Sequence, residues 1–156
     1  MAFNGTGLTS ANLKTVKEIE TGAFFNSDLT EVYLSSGTVI GESAFANCKF
    51  TEVYIPDNIN LSNDVFHSCS SLETVVLDGS NISVSSDTFA GCRNIDTVFV
   101  TSNNIGAIDY VVRSSKKKDI LINVITVPDA PYDEDSVIHK VKYWTNDDVN
   151  VTVREV

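Results

Sequence analysis

The chain has 156 residues, room for one domain or one domain with a small appendage, and 42% of them are hydrophobic, too many for a disordered tail. A formal net charge of −10 argues against nucleic acid, because a phosphate-binding face needs clustered Lys and Arg. No window approaches the ~20 apolar residues of a membrane span, so membrane insertion is not expected. The opening "MAFNGTGLTS" has neither the basic start nor the apolar stretch of a signal peptide.

Taken in chain order, the elements are copies of one unit. Phe3, Phe24, Phe45, Phe66 and Phe89 lie 21, 21, 21 and 23 residues apart. Ala2, Ala23, Ala44, Val65 and Thr88 precede them, and Ile19, Ile40, Leu61 and Val84 stand five positions upstream of the four later ones. Leu8, Ala11 and Leu13 carry the first downstream pattern faintly, and Leu29, Val32 and Leu34 then Phe50, Val53 and Ile55 carry it in full. After Phe66 and Phe89 one residue is inserted, giving Leu72, Val75, Leu77 and Ile95, Val98, Val100. Tyr110, with Ile105 five before it, reads as a degenerate sixth unit. Such a period, kept through five units, predicts a solenoid.

Within each unit the alternating, β-branched segments "TEVYL", "TEVYI", "ETVVL" and "DTVFV" predict a short strand. The "xxAFxxC" segment is too short for an independent helix and predicts a turn or a single helical turn on the opposite side. Gly, Ser, Asn and Asp fill the connections. Stacked coils pair their strands in parallel about 4.8 Å apart, which makes a narrow sheet. One such unit cannot fold alone and depends on its neighbours.

Cys48, Cys69 and Cys92 each follow the Phe of their unit by three residues, with Thr6 and Ser27 in the same slot earlier. They predict a stacked column of buried thiols donating to backbone carbonyls. A disulfide between adjacent rungs is the alternative, although three cysteines cannot all pair internally. Zinc has no C-x-x-C to support it, and His67 and His139 are far apart in sequence. Asp133, Glu134 and Asp135 lack calcium-loop spacing and read as solvated acids, as Lys116, Lys117 and Lys118 read as a solvated turn. No phosphate-cradling loop and no nucleophile–base grouping is visible, so no enzyme activity, cofactor or metal is expected. The sequons at Asn4, Asn60, Asn81 and Asn150 are what an Asn- and Ser-rich repeat produces by composition.

The candidate site is the strand face. If Leu29, Val32 and Leu34 point inward, Glu31 and Tyr33 point out. The equivalent pairs are Glu52 and Tyr54, Thr74 and Val76, Thr97 and Phe99, with Ser10 and Asn12 in the first unit. One outward column therefore runs Asn12, Tyr33, Tyr54, Val76, Phe99. Aromatics on a solvent-facing sheet are favoured anchors for a ligand, and equally form cross-strand stacks that only stabilise the sheet.

Past Phe99 the period fades. "DILINVITV" (119–127) predicts the last rung, and Pro128 and Pro131 break the pattern. Alternating runs at 137–144 and 149–156 around 145–148 predict a β-hairpin, which would cap residues 1–127 or open a further domain. The lone Trp144 and an unpaired hairpin edge suggest self-association.

"VIGESAFANCKFTEVYIP" (39–56) and "SVSSDTFAGCRNIDTVFV" (83–100) resemble the BspA-like leucine-rich repeat family, over roughly residues 1–110. The resemblance implies a right-handed superhelix of five to six short coils. It also implies an exported or cell-surface, adhesin-like module that binds a protein or glycan, of which this chain would be a fragment. The alternative is a structural spacer with no ligand of its own.

Overall fold

The computed structural model describes residues 2–145 and 149–156. Each unit closes into a coil with two short strands and a turn. The first coil gives β1 (Ser10–Asn12) and β2 (Glu18–Ile19), the second β3 (Glu31–Tyr33) and β4 (Val39–Ile40). The third gives β5 (Glu52–Pro56) and β6 (Ile59–Leu61), the fourth β7 (Thr74–Asp78) and β8 (Ile82–Val84). β9 (Thr97–Thr101) opens the fifth, which closes through a 3₁₀ segment (Ser102–Ala107) and α1 (Ile108–Val112). β10 (Asp119–Ile125), α2 (Glu134–Trp144) and β11 (Asn150–Glu155) follow. The whole is a parallel β-solenoid of about five turns.

Two faces of the solenoid are sheets. The expected strand face holds β1 paired with β3, then the five-stranded order β11-β10-β9-β7-β5. A second sheet, β2-β4-β6-β8, runs along the return side, where the sequence showed only an aliphatic at Ile19, Ile40, Leu61 and Val84. Register keeps like on like: Ile40 faces Leu61, Leu61 faces Val84, and Val53, Val75 and Val98 line up in turn.

The third side is the turn around each Phe. Phe3, Phe24, Phe45, Phe66 and Phe89 stack with ring centroids 5.0 to 5.6 Å apart and planes within 14° of parallel, an offset arrangement that suits the ring quadrupole. Phe50, in the slot of Leu29 and Leu72, packs edge-to-face with both Phe45 and Phe66, ring centroids 6.0 Å apart. The turn is made possible by left-handed residues two positions after each Phe: Gly5, Asn26, Asn47, Ser68 and Gly91. Gly and Asn tolerate that conformation best. The turn amides are laddered too. Phe24, Phe45 and Phe66 donate to the carbonyls of Ala44, Val65 and Thr88 one coil on, at 2.8 to 3.0 Å.

The cysteine column is present, and all three thiols are free and buried. Cys48, Cys69 and Cys92 donate to the carbonyls of Phe24, Phe45 and Phe66 one coil back, at 3.2, 3.3 and 3.1 Å. Burial pushes the Cys48 thiol up, and Cys69 is raised further by its hydrogen bond with Cys92 and by burial.

The C-terminal hairpin expectation is corrected. Residues 134–144 form a helix, and β11 pairs in parallel with β10, Ile120 facing Val151 and Ile122 facing Val153. As a string, 137–144 fits period 2, but Val137 and Val141, four apart, are its buried side chains among the described residues, which is the helical period. Asp133, read as merely solvated, is the N-cap, its carboxylate accepting from the Ser136 amide at 3.0 Å. Residues 146–148, in the expected hairpin turn, and the Trp144 side chain lie outside the described residues. Val137, Val141 and Val149 belong to the same buried cluster as the coils, and Lys140 lies 3.9 Å from Asp109 across α2 and α1.

Candidate functional site

Alternation on the strand face follows the expected parity. Val53, Val75 and Val98 are buried, while Tyr33 and Tyr54 are each 47% exposed. Glu31 and Glu52 are exposed beside them, and Thr74, Val76, Thr97 and Phe99 are half-buried. Register brings Tyr54, Val76 and Phe99 into one column. The column continues through Asn123 and Arg154 of the last two strands, which sequence reasoning did not extend to. The alternation of "DILINVITV" carried that signal for Asn123; Arg154 was assigned to the hairpin instead.

Each tyrosine is oriented by a carboxylate. The Tyr33 hydroxyl donates to Glu31 Oε2 at 3.3 Å, and the Lys14 ammonium lies over the ring, 5.5 Å from its centroid. Tyr54 donates to Asp78 one coil further on, and that hydrogen bond, with a smaller effect of burial, holds its phenol above the ordinary tyrosine range. Asp78 follows Leu77 at the next outward position of β7, so strand parity could have found it. Lys14 lies past the end of β1, where no alternation applies, and only the folded chain shows its reach.

The two rings thus have contacts on opposite sides, Tyr33 toward the first coil and Tyr54 toward the fourth. Between them the sheet is interrupted: among the described residues no strand pairing joins β3 to β5. Val32, at the interruption, is half-buried where its counterparts are fully enclosed. A cleft of about 520 Å³ opens there, lined by Lys14, Glu31, Tyr33, Glu52 and Tyr54 and floored by Val32. The coils do not part elsewhere. Phe24 and Phe45 keep their 5.4 Å stack, and β4 still pairs with β6.

A wider recess of about 630 Å³ lies beside α2, where Tyr132, Asp133, His139 and Lys140 meet Ser102 and Ile105. Its Asp133 carboxylate is committed to the helix cap, and among the described residues no acid is bonded to His139 to make a base. Among the described residues no group of three or more His, Cys, Asp or Glu is placed to hold a metal ion. The strand-face cleft offers aromatic faces, acceptor oxygens and one ammonium, a set suited to holding a ligand rather than breaking a bond.

A family model, the BspA type leucine-rich repeat region, matches residues 1–117 in six copies. Neither a curated protein nor a solved structure matches the chain. No helix among the described residues is long and apolar enough to cross a membrane.

Proposed function

The chain belongs to the BspA-type leucine-rich repeat family, and from that premise we propose that it is a non-enzymatic binding module of a cell-surface or secreted, adhesin-like protein. Such repeats are usually found in surface or secreted proteins and typically serve as interaction scaffolds. The ligand, a protein or a glycan, is taken on the strand face by Tyr33 and Tyr54, with Glu31 and Glu52 supplying polar contacts and Thr74, Val76, Thr97 and Phe99 extending the surface. The observation that carries this reading is the pair of half-exposed tyrosines, each hydrogen-bonded to a carboxylate at the edge of an open cleft. Aromatic side chains already ordered in this way bind with little further loss of rotamer freedom.

The test is a screen of the chain against immobilised glycans and extracellular proteins, repeated with Tyr33→Ser/Tyr54→Ser. A ligand bound by the parent and lost by a variant of unchanged thermal stability supports the reading. Ligands bound equally by both place recognition elsewhere. The second reading, a spacer holding neighbouring domains apart, rests on the unbroken Phe stack, and predicts no ligand at all.

A further inference from the structure

We infer that the cleft between β3 and β5 is a seat for the cationic side chain of a basic, extended protein segment, with the guanidinium or ammonium lying on the Tyr54 ring between Glu31 and Glu52. This rests on the strand-face reading and narrows its ligand from protein or glycan to one chemistry. The repeat itself supplies the argument. In the first coil Lys14 reaches onto the Tyr33 ring of the second, whose hydroxyl donates to the Glu31 carboxylate. One period later Tyr54 stands where Tyr33 stood and Glu52 where Glu31 stood, but the residue in the place of Lys14 is Ser35, too short to reach a ring. The seat recurs without its cation.

Three further features point the same way. Glu52 is exposed and, among the described residues, has no ion pair or side-chain hydrogen bond, so its charge is available. Lys14, the base that lines the cleft, lies over the Tyr33 ring rather than that of Tyr54, and Lys49 is paired with Asp28 at 2.7 Å. The net charge of −10 steers a basic partner inward. The interrupted sheet adds the access: among the described residues β5 is laddered only to β7, leaving its other edge facing the cleft. A neutral sugar would use the rings and hydrogen-bond the carboxylates but leave their charge uncompensated, and an acidic segment would be repelled.

The probe is a blocked Gly-Ser peptide carrying three arginines at alternate positions, titrated into the labelled chain by NMR. Its twin has citrulline at those positions, and a neutral oligosaccharide is run in parallel. The arginine peptide is expected to shift resonances of Glu52 and Tyr54, and the citrulline twin to leave them in place. Tyr54→Ser and Glu52→Gln should each weaken binding roughly ten-fold, and Glu18→Gln, an exposed acid on the return sheet, should not. Ser35→Lys restores the Lys14 pattern and should occupy the seat from within, weakening the peptide by a similar factor without loss of fold. Equal binding of the citrulline twin, or equal loss with Glu18→Gln, overturns the inference. Tyr54-dependent binding of the oligosaccharide with no response to arginine also overturns it and leaves the strand-face reading standing. If neither probe binds, the basic-segment inference falls, and the wider screen above decides the other.

Discussion

Tyr54 and Gly91 show what single side chains contribute. Because Asp78 accepts the Tyr54 hydroxyl, losing that proton would set two negative oxygens together, which is why the phenol is raised. Asp78→Asn should bring Tyr54 down toward the ordinary value of about 10, read by ultraviolet or NMR titration; an unmoved titration would show that Asp78 is not its partner. Gly91 has φ of +80°, and a Cβ there would come within 2.7 Å of Ser68 Oγ. Gly91→Ala should therefore cost about 1–2 kcal/mol, seen as a lowered melting temperature. The Gly or Asn two places after most phenylalanines was legible in the sequence as turn chemistry. Ser68 in the same left-handed conformation was not, because its residue type gives no sign and only its place in the repeat does.

Among elements, the phenylalanine turns carry the coil together. Phe45 is completely enclosed, stacked on Phe24 and Phe66 and met edge-on by Phe50. Phe45→Ala should cost about 3–5 kcal/mol, and Phe3→Ala, where 45% of the residue is already exposed, clearly less; urea denaturation compares the two. Helix α2 responds instead to acid. The Ser136 hydroxyl, then its amide, holds the Asp133 carboxylate below its usual range. A carboxylate depressed on folding stabilises above its unfolded value, near 4, and that support is lost as pH falls through the folded one. The first turn of α2 should thus loosen on acidification, reported by the Ser136 amide resonance. The repeat elements were legible because five units voted for one period. Residues 134–144 had a single copy in which period 2 and period 3.6 both fit, and the capping contact from Asp133 to Ser136 favours the helix.

Across the whole molecule, stability is shared between adjacent coils, so the two ends matter most. We propose that residues 128–156 cap the array. Removing them would uncover the β10 edge and the enclosed Ile120, Ile122 and Val124. The shortened chain should melt at lower temperature and self-associate in analytical ultracentrifugation; a monomer of unchanged stability would refute the cap. At this scale the stacking of the coils could be read directly from the phenylalanine spacing. The second sheet could not, since two or three residues per coil leave too short a run for alternation, and neither could the interruption between β3 and β5. "TEVYL" and "TEVYI" are nearly the same string, yet one makes a three-residue strand and the other a five-residue strand that ends on Pro56.

The thiol column also places a chemical probe in three successive coils. A buried sulfur lodged under a carbonyl is out of reach of alkylating reagents until its own coil opens. The order in which Cys48, Cys69 and Cys92 become labelled under mild denaturant therefore records the direction in which the array frays, one rung at a time, with no introduced reporter.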